Sequence, residues 1–469
     1  MSGFFGAVSR RDCVMDVFYG TDYHTHLGTK RAGMAFYNKE KGFQRAIHSL
    51  EDGYFRNKFD GDIKGFKGNI GFGVVSDHEA QPILVTSHLG RFAVVSVSKI
   101  NNLDELEAYF LSRRSTFAES SQGNINPTEL ITKLIAECDD FVSGINNVFD
   151  KVKGSCSLLL LTEDRIIAAR DRVGRTPIVL GRRADAYAAT FETCAFPNLD
   201  FEVEHYLGPG EIVAFDADGY QQLQAPGEEL KICSFLWVYY GYPPSCYEGI
   251  NVDETRYRCG AAMAREDDVE ADFVAAIPDS GVGHAMGYSN ATGIQLKRPY
   301  SKYTPTWPRS FMPQNQETRE LVARMKLIPN KSVIRGKRGV FIDDSIVRGT
   351  QLKDNVKDLQ EGGIEEMHMR IACPPLLFPC KYLNFSSSRT KLDLATRKAI
   401  SELENSSDPD YDTYCDSKSE KYAQMVEQMR KNLGLTSLKF LKLADMIKAI
   451  GLPKEKLCTH CWDNSGKDD

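Results

Sequence analysis

The sequence predicts a two-domain α/β protein, with strands and helices interleaved in the first half and a doubly wound parallel sheet in the second. Three observations carry this. The chain has 469 residues, whereas single hydrophobic cores stop growing at roughly 250–300 residues. The polar stretch Gln221–Leu230, which contains Pro226-Gly227, reads as a linker near the midpoint. Beyond it, short apolar runs alternate with helical periods, the pattern of a parallel sheet covered by helices.

In the first half, Asn69–Val75, Phe92–Val97, Ser157–Leu161 and Arg165–Ala169 have the apolar runs of strands. Leu103–Leu111 and Pro127–Ala136 have helical spacing. In the second half Val252–Ala264 reads as a helix, and Phe273–Ile277, Gly339–Asp343 and His368–Ala372 as strands. A further helix runs from Gln351, with Leu352, Val356 and Leu359 on one face, and stops at Gly362-Gly363. Asn384–Leu403 and Asp408–Lys431 are polar and charged, and are expected as surface helices and loops.

Composition excludes several classes of function. No apolar run approaches the ~20 residues of a membrane span. Met1-Ser2-Gly3-Phe4-Phe5-Gly6 lacks the basic n-region of a secretory signal. A net charge of −6 favours neither nucleic acid nor an anionic membrane as partner. The expectation is a cytoplasmic enzyme. Twelve cysteines in that compartment are not a disulfide framework. Cys458-Thr459-His460-Cys461 has the C-x-x-C spacing of a metal site whose other ligands lie far off in sequence, and spacing alone does not separate zinc from iron–sulfur.

The most specific chemistry lies in Gly339-Val340-Phe341-Ile342-Asp343-Asp344-Ser345-Ile346-Val347-Arg348-Gly349-Thr350. An apolar strand ends in two carboxylates and a tight loop feeds a helix N-terminus, whose free N–H groups and dipole favour phosphate. Ser345 and Thr350 add hydroxyl donors, Gly349 lets the backbone approach, and the carboxylates suit a sugar diol or Mg²⁺. Ile277-Pro278-Asp279-Ser280-Gly281, also at a strand end, is a second loop of this kind.

Together these runs resemble the type I phosphoribosyltransferases, and Asp343 to Thr350 most resemble the amidophosphoribosyltransferase family, over nearly the whole chain. The resemblance implies a four-layer αββα N-terminal-nucleophile (class II glutamine amidotransferase) domain over residues 2–230. A type I phosphoribosyltransferase domain would follow over 231–469. It implies phosphoribosyl diphosphate as substrate, with Asp343 and Asp344 on the ribose hydroxyls and Ser345, Ile346, Val347, Arg348, Gly349 and Thr350 around the 5-phosphate. Asp279, Ser280 and Gly281 would serve the pyrophosphate, and Ser280, Asp343 and Asp344 the Mg²⁺. The run from Arg309 through Gln316 and Lys326 to Lys331 is similar to the family's flexible loop, which makes Arg309 and Lys326 catalytic candidates and Lys331 a substrate contact. Cys233, Cys380, Cys458 and Cys461 match the ligands of a [4Fe–4S] cluster in bacterial members, with zinc as the alternative.

In the first half the match breaks. Family members begin with a nucleophilic cysteine, which attacks the glutamine amide using its own α-amine as base. Ser2 holds that position here, exposed as the terminus once Met1 is removed. The arginine that grips the glutamine carboxylate is missing from Gly71-Phe72-Gly73-Val74-Val75-Ser76. The oxyanion donors of an H-N-G-N segment are replaced by Ser96-Val97-Ser98-Lys99, and the amine clamp by Asn126-Pro127-Thr128-Glu129. Loss of one oxyanion donor alone costs roughly 10²–10³ in rate. The landmarks Arg170-Asp171, Phe191-Glu192-Thr193-Cys194-Ala195 and Pro209 to Val213 survive. The expectation is a retained fold whose glutaminase chemistry is lost, making 5-phosphoribosylamine from ammonia, free or supplied by a partner. A homo-oligomer is implied. A regulatory paralogue that binds phosphoribosyl diphosphate or nucleotide, and a slow Ser2-dependent amidohydrolase, are the alternatives.

Overall fold

The computed structural model describes residues 1–121, 123–302, 327–384, 394–406 and 409–466. The first half is built on two antiparallel sheets, one of seven strands and one of six. Ser2–Ser9 runs through the middle of the larger sheet, between Ile70–Ser76 and Ala186–Thr190. Its side chains alternate as a pleated strand requires. Phe4 and Val8 enter the core between the sheets, while Phe5 and Ala7 face an outer core with Val14, Val17 and Phe18 of the helix Val14–Asp22 and with Phe55 and Phe59 of Phe55–Gly65. Gly154–Leu161 does the same in the smaller sheet. Leu159 and Leu161 point inward, and Leu158 and Leu160 pack on Leu106, Leu130, Ile131 and Ile145 of three outer helices. The result is four layers, helix–sheet–sheet–helix.

The expected strands and helices of this half are all present, but the linker is shorter than expected. Tyr220–Gln224 is a strand, paired with Ile212–Phe215 at the edge of the smaller sheet. The loop begins only after Gln224. The residues of this edge strand are exposed or half-buried along its length, so no alternating apolar face marked it in the sequence.

The second half is a parallel sheet of four strands in the order Phe273–Ala276, Arg338–Asp343, Glu366–Ile371 and Ser437–Phe440. A bridge from Val274 to Leu296 extends it on the far side of Phe273–Ala276. The chain therefore leaves that strand toward one side and later returns on the other. This reversal opens a crevice at the carboxyl ends of the strands, where ligands of such sheets bind. The helix Val282–Thr292 packs on Val252–Arg265 so closely that a Cβ on Gly260 would stand 1.8 Å from the His284 carbonyl oxygen. Ala395–Glu404 and Glu420–Leu433 were expected as surface helices. Both are helices, and each is amphipathic, burying Thr396, Ala399 and Ile400 in one case and Met425, Met429 and Leu433 in the other. No helix among the described residues is long and apolar enough to cross a membrane.

Candidate functional site

The strand Arg338–Asp343 delivers Asp343 and Asp344 to the crevice. Asp343 Oδ1 accepts the Asp344 N–H at 2.9 Å, and Asp344 Oδ1 accepts the Ser345 hydroxyl at 2.5 Å. The Ser280 hydroxyl also hydrogen-bonds Asp344, so the two loops meet through these side chains. Burial pushes both aspartates above the ordinary carboxylate range, and repulsion from Asp344 pushes Asp343 further. Two crowded, desolvated carboxylates at a strand end are poised to take a cation or hydroxyl donors.

Two helix N-termini open beside this pair. Thr350–Glu361 is preceded by Gly349 in the left-handed region at φ +74°, a turn that costs glycine little. Val282–Thr292 is preceded by Gly281, where a Cβ would lie 2.5 Å from the Ile342 carbonyl oxygen and 2.7 Å from that of Ile277. Only a glycine lets this loop lie against the neighbouring strand end. Between the two, Ile346 is buried and the Val347 carbonyl accepts the Ala395 N–H at 2.8 Å, so these residues tie the loop to the core. Arg348, Thr350 and Asp279 are exposed. Lys331 is exposed at the start of the single-turn helix Lys331–Ile334. Arg309, Gln316 and Lys326 lie outside the described residues.

Sequence reasoning missed Arg256. Its guanidinium is buried and donates to the carbonyls of Trp237, Tyr239 and Gly241 at 3.0, 2.9 and 2.8 Å, and its charge lowers Asp344. The signal was an arginine on the apolar face that Val252, Thr255, Cys259 and Met263 bury.

The four matched cysteines converge from three parts of the chain. Ile232–Cys233 pairs in parallel with Leu457–Cys458, which sets Cys233 opposite Cys458, and all four line one cavity with Trp462. Cys380 Sγ accepts the N–H groups of Tyr382 and Leu383 at 3.4 and 3.2 Å. A hydrogen bond from the Cys461 thiol, with these N–H groups, draws Cys380 down to about 7, while burial lifts Cys458 to about 11. Among the described residues, no three His, Cys, Asp or Glu side chains form a group that could hold a metal ion.

In the first half Ser2 is buried, and its hydroxyl donates to Ser76 Oγ at 3.0 Å. Where the clamping arginine was expected, Val74 and Val75 are buried in the two cores. The Ser96 N–H donates to Gln81 Oε1 at 2.7 Å, and its hydroxyl pairs with Ser98 and Thr128. Asn126 caps the helix Pro127–Ile135 through the N–H groups of Thr128 and Glu129. Leu27 lies against Gly3, and Thr29 donates its N–H and hydroxyl to Asp77. These polar groups answer one another within the chain. A surviving landmark, Glu192, is fully buried between His26 at 2.9 Å and the Tyr247 hydroxyl, and ties this domain to the next.

A two-sheet αββα sandwich followed by a parallel sheet with two glycine-bearing loops at its carboxyl edge is the architecture of glutamine amidotransferases that carry a phosphoribosyltransferase domain. Comparison with known proteins narrows this. Residues 69–196 match the family described as a glutamine amidotransferase domain. An amidophosphoribosyltransferase of Methanocaldococcus jannaschii is 31% identical, over 98% of this chain and 96% of its own length. One of Bacillus subtilis is also 31% identical, over 96% of this chain and 89% of its own. The solved B. subtilis glutamine phosphoribosylpyrophosphate amidotransferase, complexed with ADP and GMP, superposes with a TM-score of 0.85 at 28% identity, covering 99% of this chain and 96% of that one. The chain belongs to the amidophosphoribosyltransferase family, the pentosyltransferases of purine biosynthesis.

Proposed function

We propose that the chain forms 5-phosphoribosylamine from phosphoribosyl diphosphate with ammonia, free or handed over by a partner, and not with glutamine. One contrast carries this reading. The Asp343–Asp344 pair is desolvated and raised beside two helix N-termini at the carboxyl edge of the parallel sheet, whereas the hydrogen-bonding groups around Ser2 answer one another within the first half. Pyrophosphate leaves C1 of the ribose as ammonia attacks, so positioning of charge and exclusion of water supply most of the acceleration.

Asp343 and Asp344 would orient the ribose hydroxyls. The N-terminus of Thr350–Glu361, with Ser345 to Thr350, would take the 5-phosphate, and the loop Asp279 to Gly281 the pyrophosphate. Arg309, Lys326 and Lys331 would neutralise the leaving group. Ser280, Asp343 and Asp344 suit Mg²⁺ as all-oxygen donors, and the upward push on both carboxylates is what a bound cation relieves. When bound there it supplies positive charge at the departing pyrophosphate.

Cys233, Cys380, Cys458 and Cys461 fit a [4Fe–4S] cluster better than zinc. All four line one cavity, Cys380 accepts two backbone N–H groups, and the resemblance to bacterial family members, rather than the spacing of the sulfurs, favours the cluster. The domains are taken as 2–230 and 231–469, in a cytoplasmic homo-oligomer.

The test is pyrophosphate release by anaerobically purified protein with phosphoribosyl diphosphate and Mg²⁺, given ammonium, glutamine or neither. Turnover with ammonium alone is expected. Turnover with glutamine sinks the retired-glutaminase reading, and silence in all three with retained substrate binding favours a regulatory paralogue.

A further inference from the structure

The strand Gly90–Ile100 sits inside the smaller sheet, hydrogen-bonded to Ile83–Ser87 on one side and Gly154–Leu161 on the other. Its last residues reach out of the first half and grip the cysteine loop of the second. The Lys99 ammonium donates to the carbonyl of Cys380. Just beyond the strand, Asn101 Nδ2 donates to the carbonyl of Lys381 at 2.8 Å. In the reverse direction, Asn384 Nδ2 donates to the Ser98 carbonyl at 3.1 Å. From the neighbouring part of the same half, the Arg175 guanidinium stacks on the Tyr382 ring at 3.4 Å.

These contacts act on the short stretch that aims one sulfur. Within it, Tyr382 and Leu383 turn their N–H groups back onto Cys380 Sγ. Fixing the carbonyls of Cys380 and Lys381 from outside fixes the peptide planes, and with them the direction of the sulfur. Outer groups that orient a metal ligand tune its affinity in this way. Ser98 and Lys99 belong to the Ser96–Lys99 segment that stands where the family's oxyanion donors were expected.

We propose that this strand end has been redeployed from glutamine chemistry to the cysteine centre, with Lys99 and Asn101 as positioning residues for Cys380. The inference rests on the reading of the four cysteines as cluster ligands and of the glutaminase as retired. It gives the first domain a present task, as a rigid platform without which the loop 380–384 loses its register.

The test uses the full-length, anaerobically purified chain and its Lys99→Met, Lys99→Arg and Asn101→Ala variants. Amide hydrogen exchange is followed at Tyr382 and Leu383, with iron and sulfide per chain and the time course of iron loss to a chelator. In Lys99→Met and Asn101→Ala, exchange at both amides accelerates and iron is lost about tenfold faster, the lower end for outer-shell partners of metal ligands. Lys99→Arg, which can still donate to the Cys380 carbonyl, stays near the parent. Parent-like exchange and iron loss in both Lys99→Met and Asn101→Ala overturns the proposal. A parent chain devoid of iron whose variants still show faster exchange sinks the cluster reading, while the anchoring of the loop stands.

Discussion

Two crowded carboxylate groups, one in each half, meet burial in different ways. In the first half burial works to raise Asp77, but in the chain that keeps Met1 its ammonium at 2.6 Å and the Thr29 donors more than offset it, and its pKa falls. Its neighbour Glu79 takes the other course and is raised to about 7 by burial, with Gln81 donating to it at 2.6 Å. In the second half Asp343 and Asp344 are both raised, and their loop opens onto two helix N-termini. Asp77 has been settled within the chain, whereas Glu79, Asp343 and Asp344 all stand raised, and of these only the Asp343–Asp344 pair lies beside two helix N-termini; on the proposed function, that pair is the one a ligand settles.

The sharpest way to break this comparison is Asp344→Asn. If the pair holds substrate and cation, ammonium-dependent turnover falls by about 10³-fold, in the range of losing a principal electrostatic group. The same change should raise the melting temperature in the absence of Mg²⁺. A carboxyl whose folded pKa is raised binds more protons folded than unfolded, so its charge opposes folding at neutral pH. A variant that loses activity and also loses stability would show that the carboxylate is structural.

A third carboxylate, Asp267, sharpens the contrast as a fully compensated case. Burial works to raise it, but Arg370, Tyr288 at 2.6 Å and Lys439 at 2.9 Å drive it well below the ordinary range. The sign is opposite to that of Asp344. Its stabilising contribution is complete above the unfolded value near 3.8 and is lost as pH falls through the lower folded value. Asp267→Asn should therefore destabilise at pH 7 by about 3 kcal/mol, the cost of leaving a buried partner charge unpaired. Urea unfolding at pH 7 measures it, and a change in the transferase rate without a change in stability would contradict the assignment.

The two halves also differed in how much of them could be read in advance. The loop Asp343 to Thr350 was legible because strand, carboxylates, loop and helix start are contiguous, so local chemistry and period define them together. The buried stripe Met425, Met429 and Leu433 recurs at four-residue spacing and could have been read, but the charged residues around it hid it. Arg256 and Lys99 could not be placed, because their partners are set by tertiary packing. Lys99 meets Cys380 across 281 residues, and nothing near either residue announces the contact. Broken motifs told of lost groups around Ser2. They did not tell that Gln81 and Thr128 hydrogen-bond Ser96, or that Val75 is buried in the outer core.

Glu79→Gln probes the first group directly. With its folded value near 7 against the ordinary 4.5, Glu79 takes up a proton on folding between those limits. Stability of the parent should therefore fall as pH rises from about 5 to 8, by about 2.5 kcal/mol. Gln keeps the shape without the charge, so the slope flattens and the variant gains on the parent at pH 8 while matching it at pH 5. Ammonium-dependent turnover should not follow, because Glu79 answers only to Gln81 and its buried neighbours. If the variant instead loses turnover in parallel with its changed pH profile, the first half still takes part in the reaction, and the contrast between the two carboxylate groups fails.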